Sequence, residues 1–220
     1  MNNIMDFWRS EWEAVADTSE VADIKGVWQK PNRPKWEDVY AGYPKNEDGT
    51  DDRNNVQVFI EVFGDKYDSA NNVIKNTNIS LYNACATRVS LGLLNGGFRI
   101  NGVGFQVQQG PFKGKNVITS AKVLKNYLLS SSLFGTPDIS IKTNDTQSDY
   151  YGSKGMITLE TLRSEIGNRN GIYIVIPYAG CLGWSNITGH ATLWVGKNRN
   201  VVGGHHYAHI IGELYFWELL

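Results

Sequence analysis

Tyr82-Asn83-Ala84-Cys85-Ala86-Thr87-Arg88-Val89-Ser90-Leu91-Gly92-Leu93-Leu94-Asn95-Gly96-Gly97-Phe98 is the stretch around which the chain is organised. Ala84, Val89 and Leu93 return near a helical repeat, Asn83 is suited to cap the start, and Gly96-Gly97 to end the helix. Cys85 then falls in the first turn, where unpaired backbone N–H groups and the positive end of the helix dipole favour a thiolate over a thiol. A small buried core residue is the alternative reading of the same cysteine.

The flanking segments supply a second layer. Upstream, Asp6 to Val15 reads as an amphipathic helix and a short helix is expected near Pro34. Lys45 to Asn55 reads as an exposed, turn-rich loop, and Val56 to Phe63 as a helix ended by Gly64. Downstream, Gly96 to Lys115 is expected to be a loop or irregular hairpin and Thr119 to Leu129 a helix. From Lys154 the pattern changes to strands. Gly171-Ile172-Tyr173-Ile174-Val175-Ile176-Pro177 is a continuous apolar run, expected to be buried on both faces. His190-Ala191-Thr192-Leu193-Trp194-Val195 alternates, with His190, Thr192 and Trp194 on one side and Ala191, Leu193 and Val195 on the other. A turn at Gly196-Lys197-Asn198-Arg199, a return strand from Val201, and a last strand over Leu214 to Leu219 complete an antiparallel sheet. Helices first and sheet second is an α+β order, expected as one domain over residues 1–220 with 1–33 as an N-terminal extension.

Composition excludes several classes. A formal net charge of -1 and the absence of a basic run argue against nucleic acid. No apolar stretch approaches the roughly 20 residues that span a bilayer, so membrane insertion is not expected. Met1-Asn2-Asn3-Ile4-Met5-Asp6 lacks the basic and apolar regions of a signal peptide, which leaves synthesis in the cytoplasm and, for any export, a route without a cleaved signal. The four histidines, His190, His205, His206 and His209, fit no metal-binding spacing, so neither metal nor cofactor is expected. Cys85 and Cys181 allow one disulfide at most.

A cysteine nucleophile needs a base within hydrogen-bond reach, and the base needs a third group to hold its ring. His190, at a strand start after Gly189, is the candidate base. If the turn centres on Lys197-Asn198, Val195 pairs with Asn200 and the continued register sets His205 opposite His190. His205 would then accept the Nδ1–H of His190 and leave Nε2 for Cys85. A one-residue slip brings in His206 or Gly204, and Gly203-Gly204 invites a bulge; Asn200 is the second choice.

These residues carry a resemblance. Asn83-Ala84-Cys85-Ala86-Thr87-Arg88-Val89-Ser90, Thr136-Pro137-Asp138, Gln147-Ser148-Asp149, Lys154-Gly155, and Gly183-Trp184-Ser185-Asn186 leading to Gly189-His190-Ala191-Thr192-Leu193-Trp194 resemble the fourth family of type VI secretion amidase effectors. Those proteins are papain-like, NlpC-related peptidoglycan hydrolases, and the likeness runs from about Pro34 to the C-terminus. It implies a cysteine hydrolase that cuts the stem peptide between D-glutamate and meso-diaminopimelate, with Cys85 as nucleophile and His190 as base. It further implies passage through the secretion machinery, action in the periplasm of a target bacterium, and a cognate immunity protein that blocks the cleft. The family usually places an aspartate on the return strand as third catalytic member, and no Asp follows Asp149 here; His205 in that role would give the cysteine–histidine–histidine set of the NlpC relatives. Trp184 and Asn83 are candidates for lining the substrate groove, and Arg88 either binds a substrate carboxylate or anchors a loop. The competing reading is a non-catalytic module of the same fold that binds peptidoglycan or a partner.

Overall fold

Residues 33–77, 79–143, 156–178 and 188–220 are described by a computed structural model of the chain. The expected helix over Asp6 to Val15, and Cys181, Trp184, Gln147-Ser148-Asp149 and Lys154-Gly155, lie outside these residues. In chain order the helices are α1 (Trp36–Gly42), α2 (Asn55–Phe63), α3 (Cys85–Asn95), α4 (Ala121–Ser130) and α5 (Leu159–Glu165). Two short hairpins come first among the strands, β1 (Tyr67–Asp68) with β2 (Val73–Ile74) and β3 (Phe105–Gln106) with β4 (Asn116–Val117). Then follow β5 (Ile139–Lys142), β6 (Gly171–Pro177), β7 (His190–Val195), β8 (Asn200–Val201) and β9 (Gly212–Glu218).

The last five strands form one antiparallel sheet in the order β5-β9-β6-β7-β8. Strand β6 sits at its centre, and its alternating residues enter two different cores. Ile172, Ile174 and Ile176 pack with Cys85, Val89 and Leu93 of α3, while Tyr173 and Val175 pack with Ile157, Leu162 and Ile166 around α5. Burial on both faces is what a continuous apolar run demands, since a polar residue on either side would be stranded without water. β7 divides in the same way: Ala191 and Leu193 join the α3 cluster and Trp194 joins the other.

Helix α3 is central to this arrangement. Its residues from Cys85 to Leu94 are all buried, because α1 covers one side and the sheet another. Gly92 makes the close crossing of α1 and α3, since an added Cβ would stand 2.7 Å from the carbonyl oxygen of Val39. The helix ends as the glycines require: Gly97 adopts φ +80°, Phe98 N–H bonds Leu93 O at 2.9 Å, and Gly97 N–H bonds Leu94 O at 3.1 Å. Its start differs from expectation. Ala84, not Asn83, is the N-cap and carries no side-chain cap, and the Ala84 amide donates instead to Asn55 Oδ1 at 3.0 Å. The helix is therefore capped from another element, which spacing within one segment does not reveal.

The expected turn register is present, with Val195 opposite Asn200 and Trp194 opposite Val201. It continues no further. A 3-10 turn over Val202–Gly204, with Gly203 at φ +69° and Gly204 at φ +72°, replaces the ladder, so His205 is not a strand residue paired with His190. The edge of β7 from Thr192 to His190 is left uncovered by β8.

Candidate active site

Two polar residues meet at that uncovered edge. Cys85 is the first residue of α3, and its sulfur lies within reach of the backbone N–H groups of Ala86, in its own helix, and Ala191, on β7 next to His190. Cys85 and His190 line one cavity of about 250 Å³ together with Asn83, Arg88, His205 and Tyr207. The thiol is free. The helix thus brings the sulfur to the strand start, as a nucleophile and base on separate elements require.

Electrostatics depart from the sequence expectation. Burial pushes the Cys85 thiol up, and the amides of Ala191 and Ala86 and the Arg88 guanidinium only partly oppose it. His190 is pushed down to about 3, first by burial, then by the positive charges of Arg88 and His205. Both members are therefore neutral near pH 7: desolvation outweighs the helix-start effect. The Nε2 of His190, expected to face the thiol, is buried without a hydrogen-bond partner. A tilted Tyr207 ring lies 4.6 Å from the imidazole, centroid to centroid.

The remaining expected residues divide. Arg88 takes the anchoring role. Its Nε donates to Arg53 O at 3.1 Å, its Nη2 to Arg53 O and to Asn55 Oδ1 at 2.8 Å, and its Nη1 lies 3.4 Å from Asp52 Oδ2. These contacts give Arg88 the loop-anchoring half of the expectation, and the residue also lines the cavity. Asn83 lines the cavity. His205 also lines it, and its Nε2 lies 3.5 Å from Asp51 Oδ1. Both alternatives to His205 bond locally: Asn200 Oδ1 accepts from Val201 N–H at 2.9 Å, and His206 Nδ1 accepts from Ala208 N–H at 2.9 Å.

Sequence reasoning assigned nothing to the loop between α1 and α2, and this loop forms a wall of the site from Asp51 to Asn55. It is folded on itself by a bridge between Lys45 and Asp52 and by Asn46 N–H to Asp51 O at 2.9 Å. Tyr43 joins it to the sheet, its hydroxyl donating to Asp52 Oδ1 at 2.8 Å and lying 3.1 Å from Thr192 Oγ1. Burial raises the Asp52 carboxyl, with Arg88 and the Tyr43 hydroxyl pulling the other way. Only the density of Asp and Asn in this segment marked it, and that pattern is shared with any solvated turn.

A buried thiol at a helix start, set against a histidine at the open edge of an antiparallel sheet, defines an α+β protein with a thiol–imidazole site. Residues 81–217, more than half of the chain, match the family described as type VI secretion system amidase effector protein 4, and the chain belongs to that family. Solved structures agree in fold. The Tae4–Tai4 effector–immunity complex from Salmonella Typhimurium is similar with a TM-score of 0.54 and 23% identity, covering 86% of this chain and 100% of the other. The corresponding complex from Enterobacter cloacae gives 0.56 and 20% over 86% and 99%, and Tae4 from Enterobacter cloacae alone gives 0.54 and 21% over 86% and 98%. No curated protein matches the sequence. Among the described residues no group of His, Cys, Asp and Glu is arranged to hold a metal ion, and no helix is long and apolar enough to cross a membrane.

Proposed function

We propose that this amidase effector is a cysteine hydrolase of peptidoglycan, with Cys85 as nucleophile and His190 as base, cutting the stem peptide between D-glutamate and meso-diaminopimelate. The observation that carries the reading is the shared cavity of Cys85 and His190 in a chain of this family. His190 takes the thiol proton as sulfur attacks the scissile carbonyl carbon. The C–N bond then breaks, the imidazolium proton goes to the leaving amine, and water hydrolyses the thioester to regenerate the thiol. General-base transfer in the attack step suits a pair that rests neutral. Backbone N–H groups at the start of α3, including that of Cys85, stabilise the oxyanion. Asn83 lines the substrate groove, for which Trp184 is a further candidate on the resemblance alone, and His205 serves as third member, acting on His190 from the return segment. The effector passes through the secretion machinery and acts in the periplasm of a target bacterium, and a cognate immunity protein covers the cleft; effector–immunity complexes are known among the structures that share the fold.

Digestion of purified peptidoglycan by the wild type and by Cys85→Ala, with products identified by mass spectrometry, tests this. The expected result is a new D-glutamate/diaminopimelate cleavage product that Cys85→Ala fails to make. Binding of muropeptides without turnover in either sample overturns the hydrolase in favour of a binding module.

A further inference from the structure

His190 has an unmet requirement. Its Nε2 is buried and unpartnered, and an imidazole that serves as a base needs an acceptor on the nitrogen away from the nucleophile to fix its tautomer and stabilise the imidazolium. Carboxylates usually provide that charge. Between Glu165 and Glu213 the sequence has neither aspartate nor glutamate, so β6, β7 and β8, the strands around His190, have none to offer.

A carboxylate enters from elsewhere. Asp51 Oδ1, on the loop between α1 and α2, lies 3.5 Å from His205 Nε2, and both residues line the cavity of Cys85 and His190. The backbone is built around this approach. Gly203 N–H donates to Thr50 O at 3.2 Å, which ties the loop to the return segment one residue before Asp51. A Cβ at Gly203 would overlap Asp51 Oδ1, so the carboxylate occupies the space that a return-segment side chain would fill. The left-handed φ of +69° at Gly203 favours glycine for a second, independent reason. If the register of β7 and β8 continued, Gly203 would face Thr192 and His205 would face His190. The break in the ladder thus admits the Asp51 carboxylate to the place where the sheet lacks one.

We propose that Asp51 and His205 form a positioning pair for His190. This rests on the assignment of Cys85 and His190 as nucleophile and base. Asp51 accepts the Nε2–H of His205, which leaves the Nδ1 lone pair of His205 to accept the Nε2–H of His190; in this arrangement Nδ1 of His190, and not Nε2 as expected from the sequence, serves Cys85. The proton that moves is the one exchanged between Cys85 and His190. The last link tightens when substrate occupies the cavity, because catalytic hydrogen bonds are commonly long in empty sites. The other charged or titratable groups facing the pair are Arg88 on α3, Asp52 and Arg53 on the loop, and Tyr207 on the return segment.

The test measures the rate of Cys85 alkylation by iodoacetamide against pH in the full chain, which needs no peptidoglycan, alongside kcat and KM for hydrolysis. The variants are Asp51→Asn, Asp51→Ala, His205→Ala, the double Asp51→Ala/His205→Ala, and His190→Ala. Each single change at 51 or 205 is expected to slow alkylation near neutral pH and lower kcat by roughly tenfold or more with KM little changed, the orienting member of such an array being worth up to about 10⁴ at best. The alkylation midpoint moves to higher pH. The double variant is no slower than the slower single one, since the two act as a unit. A wild-type profile for Asp51→Ala, or losses that multiply in the double variant, overturns the pair. If Asp51→Ala unfolds early, Asp51→Asn, which keeps the volume and a neutral acceptor, decides by the same criteria. Alkylation that answers to Asp51 and His190 in a chain inert on peptidoglycan supports the pair and removes the substrate. Alkylation indifferent to His190→Ala overturns the nucleophile–base assignment and the pair with it.

Discussion

The site has two walls made in different ways. One is framework: α3 packed on β6 and β7, held by interlocked apolar side chains that bury Cys85 and His190 almost completely. The other is loop: residues 44–54 and 203–209, tied in by polar contacts such as Arg88 to Arg53 O, Gly203 N–H to Thr50 O, and Asp51 to His205. Framework contacts are many and individually weak, so reacting atoms mounted there hold their positions when one neighbour changes. Loop contacts are few and directional, so losing one moves a whole segment. The division assigns chemistry to the framework and adjustment to the loops, and substitution should tell them apart.

The largest effect belongs to the framework's chemical groups. His190→Ala should lower peptidoglycan hydrolysis by about 10²–10⁴-fold, the usual worth of a placed acid–base group, with KM nearly unchanged. Steady-state kinetics on soluble muropeptides checks this, and a loss confined to KM would move His190 from chemistry to binding.

Next is the joint between the walls. Arg88 is buried on α3, yet its three nitrogens serve the loop. Arg88→Met keeps much of the packing but leaves the partly buried Asp52 without its cation, which should cost about 2–3 kcal/mol of stability by urea denaturation, below the full penalty of a buried pair. A cost below about 1 kcal/mol would mean that the loop stands without its anchor and that the two walls are independent.

Tyr43→Phe sharpens the same comparison with one atom. The hydroxyl links Asp52 on the loop to Thr192 on β7, and its removal leaves one buried and one partly buried group short of a partner, for an expected cost of about 1–3 kcal/mol. Local hydrogen exchange should rise in residues 44–54 and stay unchanged in α3; a uniform rise would place Tyr43 in the framework.

The same division explains what was legible beforehand. The helix at Cys85, the doubly buried strand at Gly171, the alternation from His190 and the pairing of Val195 with Asn200 follow from periodicity and turn geometry, which act over a few residues. Strand β5 (Ile139–Lys142) escaped notice because its four residues alternate too briefly, and it is defined by pairing with β9. The wall at Asp51 to Asn55 escaped for a stronger reason: its partners lie more than thirty residues away in Arg88 and far beyond that in His205 and Gly203. Arg88 itself offered two readings, and its anchoring contacts become visible only once the loop is in position. The Cys85 thiol was expected to be acidic because the helix start is visible in sequence, whereas the burial that overrides it belongs to the assembled fold.

The smallest effect per step is in pH, and its sign follows from which state takes the proton. His190 is held down to about 3 in the folded chain by burial and by Arg88 and His205, against an ordinary value of 6.5. Above pH 6.5 it is neutral whether folded or not, and its contribution is fully present. Between about 6.5 and 3 the unfolded chain binds a proton that the folded chain refuses, so stability falls as pH falls, with a slope approaching about 1.4 kcal/mol per pH unit. Asp52 opposes this. Burial raises its folded value, so the folded chain keeps a proton that the unfolded chain releases, and stability from this group falls as pH rises through that range. The wild-type curve therefore shows only their difference, and His190→Gln, which cannot take the proton, isolates the histidine. Urea midpoints for wild type and His190→Gln should diverge as pH drops below 6.5, with the wild type losing ground relative to the variant. Parallel curves would show that His190 is solvated in the folded chain, and its wall of the site would then behave as loop and not as framework.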